Sequence, residues 1–365
     1  MNSLQKLNLN YNPFRDITPS MESNTLLWAE MEEVKTKIEK SYTESIKNNS
    51  KQLVLNWGPY GGGKTFSAYY FIKNNNNLSD LTQIYLRCPK DGSKSTDEFF
   101  KSIIDYISFD KIHLQIKSLI SEYGEQKLME MLIPKTSHEY AKAICLIGSS
   151  NDDIVELMNR FLYVGLTKTE LKKLGLAKDI QSDTDVIKFL SGILHCFIGD
   201  NNIPIGKVII WIDEMEDLIY YSPKHYKGFS QVLRDLFDSI SSSFLVFLNF
   251  TLAEGEESTI ELILGGAVWS RVTRKIRYKQ FSNTNALEYC SQLIQHAKID
   301  KNKKQPIDEE TTHLLINHMM ISNLTPREIN KHFNSLINYA IENNINEINQ
   351  DVLANWMKEY EEDNL

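Results

Sequence analysis

Eight consecutive residues, Gly58-Pro59-Tyr60-Gly61-Gly62-Gly63-Lys64-Thr65, set a cluster of glycines against a lysine and a hydroxyl. Their spacing fits G-x-x-x-x-G-K-[ST] in full. Glycine is entropically costly to order, so a cluster of it needs a reason. A loop without Cβ atoms can turn its backbone N–H groups inward around phosphate oxygens, and the N-terminus of a following helix adds a positive end. Lys64 is then expected to reach the β- and γ-phosphates of a nucleotide, and the Thr65 hydroxyl to ligate Mg²⁺. The expected nucleotide-binding set is Gly58, Pro59, Tyr60, Gly61, Gly62, Gly63, Lys64, Thr65 and Phe66. The alternative is a glycine-rich turn with a solvated lysine. It leaves unexplained why an apolar strand (residues 51–57) precedes the loop and a helical pattern follows it.

Such a loop needs an acidic partner, and Val208-Ile209-Ile210-Trp211-Ile212-Asp213-Glu214 supplies one. An apolar strand ending in carboxylates presents them where ligands of open α/β sheets sit. Asp213 is expected to hold Mg²⁺ through water, and Glu214 to polarise an attacking water, a hydrolytic pairing rather than only a binding one. An acidic exposed strand end is the alternative. Glu216 and Asp217 read as solvated or helix-starting residues. On the next apolar strand, Asn249 and Thr251 share a face, since side chains at i and i+2 do. Either could orient the water and contact the γ-phosphate, and Asn249 is the candidate taken forward. Arg271 and Arg274 precede what reads as an edge strand. One of them is expected to stabilise transition-state charge in a neighbouring subunit; a solvated basic face is the alternative. Thr325-Pro326-Arg327 opens a long helix, where Arg327 is a candidate sensor coupling lid angle to nucleotide state, against a surface arginine paired with an acid.

The elements that must position these residues read as strands alternating with helices. That pattern means a parallel sheet covered on both faces. The fold class is therefore α/β: a P-loop NTPase parallel sheet sandwiched by helices, with a helical insertion and a C-terminal helical lid. The expected organisation is an N-terminal segment and helix (1–50, with the amphipathic helix over about residues 26–48), a nucleotide-binding α/β domain (51–282) and a helical lid (283–365). Residues 110–200 form the helical insertion, broken at Gly124, Pro134, Gly148 and Gly165. A chain of 365 residues with net charge −8 is not a generally basic nucleic-acid-coating protein, although a local basic strip remains open. Cys88, Cys145, Cys196 and Cys290 lie far apart with no C-x-x-C pair, which argues for small buried thiols rather than zinc. The N-terminus lacks a signal-peptide pattern and no run approaches a membrane span, so the expectation is a soluble cytoplasmic protein with no membrane partner.

In order, GPYGGGKT, IIWIDE, LNFT, a Ser270-Arg271 segment and NLTPREINKHF on a helical lid resemble the AAA+ ATPases. Within them the chain is similar to the initiator-like branch, which includes origin-recognition and transposition-regulator ATPases. Tyr11-Asn12-Pro13-Phe14 resembles the short N-terminal segment that packs near adenine in that branch. A second resemblance covers residues 160–180 followed by IIWIDEMEDL, which are similar to ATP-binding proteins of BREX-type phage-defence systems. The span from Lys64 to Asp213 departs from a minimal AAA+ core, hence the insertion. The lid is expected to carry no winged-helix-sized segment after it, so sequence-specific DNA binding is not expected.

The resemblance implies ATP and Mg²⁺ as ligands, a homo-oligomer assembled with ATP, and action on double-stranded DNA or on a protein effector. The leading expectation is an ATP-hydrolysing switch. The alternative is a nucleotide-gated regulatory scaffold that binds a protein partner with little turnover.

Overall fold

The computed structural model describes residues 3–22, 26–199, 203–252, 257–319 and 323–363. Five strands form one sheet: β1 (Lys51–Gly58), β2 (Leu81–Arg87), β3 (Lys207–Asp213), β4 (Phe244–Thr251) and β5 (Val272–Arg277), in the order β2-β3-β4-β1-β5. The sheet is parallel with helices on its flanks, as the alternation of elements predicted. Composition tracks position. The three inner strands are buried along nearly their whole length, whereas edge strands β2 and β5 alternate between more and less buried residues. Strands covered on both faces are continuously apolar, and those with a more open face alternate. The register sets Arg87 of β2 opposite Asp213 of β3, and Trp211 opposite Phe247 of β4. The last pair stacks at 3.7 Å between ring centroids, and the indole Nε1 donates to the Tyr42 hydroxyl at 3.1 Å.

The chain divides into two compact units, each discontinuous in sequence. One comprises Thr36–Trp57 and Asn75–Ile276, which includes the sheet from Lys51 to Ile276 and the helices between β2 and β3. Those helices are Ser95–Ile107, Phe109–Tyr123, Glu125–Leu132, His138–Ile147, Asp152–Tyr163, Lys168–Leu174 and Asp183–Ile198. The expected breaks are there: Gly124 separates two helices, Pro134 sits in a 3₁₀ turn, and Gly148 caps a third helix. Residues 200–202, at the end of the expected helical stretch, lie outside the described residues. The insertion is not hung on a linker. Its apolar faces, among them Phe161, Phe189 and Leu190, belong to the same continuous core as Ile210 and Leu248 of the sheet. The last of the seven helices, Asp183–Ile198, is buried nearly all round, the pattern of a helix enclosed by protein.

The other unit comprises Met1–Lys35, Gly58–Asn74 and Arg277–Leu365. Its helices are Lys64–Asn74, Asn283–Ala297, Glu309–Met319, Pro326–Glu342 and Gln350–Asp363, after a single N-terminal turn. A second core joins Phe14, Phe281, Phe333, Leu336 and Trp356. The N-terminal segment thus packs with the C-terminal helices. Asn12 Nδ2 donates to Asn334 Oδ1 at 2.8 Å, and Phe14 meets Phe333 at 4.9 Å. The long helix expected over residues 26–48 starts later, at Glu32–Lys47, with Glu32 and Glu33 in its first turn where the helix dipole favours acids. Among the described residues no helix is long and apolar enough to cross a membrane. All four cysteines are buried and unbridged, and burial pushes the Cys145 thiol up to about 12, away from nucleophilic or ligand chemistry.

Candidate functional site

The glycine motif is built as its composition requires. Gly58 ends β1 and the next helix begins at Lys64, so the loop between them is a strand-to-helix turn. Gly61 and Gly63 have φ of +73° and +97°, left-handed values that disfavour a side chain. At Gly61 a Cβ would also stand 2.7 Å from the Cβ of Arg327 and 3.0 Å from Thr325 Oγ1. Lys64 is 4 % exposed. Its ammonium donates to the carbonyls of Gly58 and Pro59, 2.9 Å each, folding the loop around it. Thr65 is half-buried in the first turn. Phe66 packs 5.7 Å from Trp28, which also meets Tyr70 and Phe71, so an aromatic cluster pins this helix to the N-terminal segment.

Within the same unit the structure brings Arg327 to the motif. Thr325 caps its helix by accepting from the Glu328 N–H at 3.4 Å, and Pro326 fills the first turn. The Arg327 N–H donates to the Gly61 carbonyl at 3.4 Å, and the guanidinium lies 4.1 Å from the ring centroid of Tyr60. Tyr60 belongs to the expected nucleotide-binding set, and here its side chain has a partner of its own. Its ring is 70 % exposed, and an aromatic face beneath a guanidinium is a cation–π support. No spacing rule signals that partnership.

The acids belong to the sheet-bearing unit. Asp213 is buried, and two neighbours orient its carboxylate: Tyr85 Oη donates to Oδ2 at 2.8 Å and the Glu214 N–H to Oδ1 at 3.1 Å. Glu214 has φ 58° and ψ 35°, left-handed for a residue with a side chain. That conformation costs roughly 1–2 kcal/mol, and such strain concentrates at functional sites. Its carboxylate is 3.6 Å from Arg87 Nε. Tyr85 and Arg87 are functional candidates that sequence reasoning missed. Both stand at the end of β2, and the only signal was their alternation on an edge strand. Glu216 is half-buried and accepts from the Thr251 N–H at 2.8 Å, in a 3₁₀ turn over Met215–Tyr220, so it ties the ends of β3 and β4 together. Asn249 is completely buried and its Oδ1 accepts from Asn56 Nδ2 at 2.9 Å.

The two candidate arginines differ in commitment. Arg271 forms a fork with the Asp238 carboxylate, at 2.6 Å from Nε and 2.5 Å from Nη2, and both groups are near the surface. The guanidinium holds the Asp238 carboxyl below the usual carboxylate range. Arg274 is more enclosed. It contacts both oxygens of Glu44, at 3.2 and 3.0 Å, together with the Lys37 carbonyl and the Ser41 hydroxyl. It therefore ties β5 to the helix Glu32–Lys47.

Among the described residues no three His, Cys, Asp or Glu side chains converge as a metal cage. A nucleotide-bound Mg²⁺ requires none, because it keeps waters and takes one or two protein oxygens beside phosphate. A threonine hydroxyl in the first helical turn and a buried, oriented aspartate are oxygen donors of that class.

No protein-family model matches the chain, and no curated protein matches it. Solved structures do. The Aeropyrum pernix ORC1 protein in complex with DNA is 12 % identical, with a TM-score of 0.52 over 96 % of this chain and 70 % of that one. Drosophila ORC bound to DNA is 8 % identical, with a TM-score of 0.51 over 98 % of this chain. This chain spans 65 % of that one's length, just under two thirds. At such identities the likeness speaks to architecture alone. What the chain shares with these two structures is the fold, a parallel sheet flanked by helices.

Proposed function

We propose that this chain is a Mg²⁺-dependent ATPase that works as a nucleotide switch. The observation that carries the reading is the glycine motif, closed around a buried Lys64 at a strand-to-helix turn and joined by Arg327. Its amides and Lys64 would hold the phosphates, and Arg327 would report their occupancy to the helix it opens. Thr65 and Asp213 would hold the metal, which supplies charge neutralisation on the phosphates when bound. Tyr85 keeps the Asp213 carboxylate oriented. Glu214 would accept the proton of the attacking water from its constrained backbone position, and Asn249 would donate to the γ-phosphate or that water.

Assembly into a homo-oligomer would give Arg271 its role. Its partner Asp238 is a surface acid, so exchanging that carboxylate for a neighbour's phosphate breaks one exposed pair, whereas Arg274 would have to leave a partly buried network. DNA is the partner we carry over from the two structures named above, one in complex with DNA and the other bound to it, and we take the duplex form as the one to test. A place in phage defence rests on the resemblance of residues 160–180 alone.

Steady-state ATP hydrolysis across a protein concentration series, with and without duplex DNA and with Lys64→Ala as the blank, tests the reading. A specific rate that rises with concentration supports a site completed between subunits, and further stimulation by DNA supports that partner. A rate no higher than the Lys64→Ala blank contradicts the ATPase reading. If ATP still binds, the scaffold reading takes its place.

A further inference from the structure

Two amides meet in the interior of the sheet. Asn56 on β1 and Asn249 on β4, adjacent strands, are both completely buried, and Asn56 Nδ2 donates to Asn249 Oδ1 at 2.9 Å. That one bond uses only part of what each amide can do. Asn56 Oδ1 and Asn249 Nδ2 are buried without a hydrogen-bond partner among the described residues. Their chain neighbours Leu55, Trp57, Leu248 and Phe250 are buried apolar residues. A buried polar group left unmatched is destabilising, while an apolar pair of similar shape is close to neutral. Stability therefore gives no reason for either amide to be here, and a requirement for a donor does.

The pair has a direction. With its oxygen taken by Asn56, Asn249 is left with its NH₂ to offer. The reverse arrangement would present an oxygen, which repels phosphate oxygens and cannot donate to them. We infer that Asn56 is a positioning residue: it takes Asn249 Oδ1 so that Asn249 Nδ2 is held as a donor toward the γ-phosphate or the attacking water. The inference rests on the ATPase reading above and adds a residue to it. Asn56 stands two positions before Gly58, so the strand that leads into the phosphate loop also orients the amide on β4.

Asn56→Leu and Asn56→Asp, each alone and in an Asn249→Ala background, test it through kcat and through ATP affinity measured separately. Asn56→Leu is expected to lower kcat about tenfold, a fraction of what a lost transition-state donor costs, with ATP affinity within about twofold. In the Asn249→Ala background it should cost nothing further. Asn56→Asp carries its own control. Ionised, the carboxylate only accepts and turns the Asn249 NH₂ away from the nucleotide; protonated, it donates again. Its kcat relative to wild type should therefore rise as pH falls. The same loss in the Asn249→Ala background, affinity and kcat falling in step, or a pH-independent ratio for Asn56→Asp would each overturn the inference. Wild-type turnover left intact by Asn56→Leu overturns this inference alone. Absence of wild-type turnover overturns the ATPase reading, and this inference with it.

Discussion

The glycine loop and the polar ends of β2, β3 and β4 divide the expected chemistry between two kinds of matter. In the loop the proposed binding falls to the backbone, and side chains are mostly excluded: Gly61 and Gly63 are left-handed, and a Cβ at Gly61 would press on Arg327. At the strand ends the backbone is ordinary except at Glu214, and the work falls to side chains that hold other side chains. Tyr85 holds Asp213, Arg87 approaches Glu214, Asn56 holds Asn249, and Glu216 holds the Thr251 N–H. A backbone site leaves a spacing signature, because only glycine satisfies it. A side-chain site leaves none beyond its first members, because many residue types at many spacings can support an aspartate.

That contrast can be broken at either end. The largest effect on ATP binding is expected at Gly61→Ala, which adds strain of roughly 1–3 kcal/mol and displaces Arg327. ATP affinity measured by titration calorimetry should fall about thirtyfold, and an unchanged affinity would mean the loop is not a backbone site. Tyr85→Phe removes one hydrogen bond to the Asp213 carboxylate and leaves the ring. About a fivefold loss of kcat is expected, from a bond to a charged group worth roughly 1.5–3 kcal/mol that falls only partly on the transition state. A higher Mg²⁺ requirement in a metal titration should accompany it. A loss of thermal stability with no change in that requirement would make Tyr85 merely structural. Smallest is Tyr60→Leu, which removes the ring beneath Arg327 at an exposed position. ATP affinity should fall about threefold, consistent with roughly 0.5–1 kcal/mol for an exposed cation–π contact, and Tyr60→Phe should restore it. Equal losses for the two variants would show that the ring face is not what supports Arg327.

The same contrast explains what was legible beforehand. β1 and β3 fell within a residue or so of where their apolar runs place them, because strands buried on both faces cannot tolerate interruption. The helical insertion and the C-terminal helices were likewise visible in their periodicity. The order β2-β3-β4-β1-β5 was not, since neighbours in a sheet are chosen by long-range packing that leaves no local trace. Nor was the grouping of residues 58–74 with the N-terminal segment and the C-terminal helices, a contact pattern between distant stretches of chain. Asn56 was in plain view beside the glycines, but a single asparagine in an apolar strand acquires meaning only when Asn249 is found facing it. The helix start at Glu32 rather than Leu26 shows the usual limit: the apolar residues Leu27, Trp28 and Ala29 are part of an extended lead-in that packs its side chains without helical backbone.

On the proposed reading a backbone loop binds ATP and a separate set of side chains hydrolyses it. Glu214→Gln separates the two most directly, with ATP binding and single-turnover hydrolysis measured on the same preparation. Binding within about threefold of wild type and hydrolysis reduced about a hundredfold, the scale of a lost general base, is the predicted result. Hydrolysis at the wild-type rate would contradict the account.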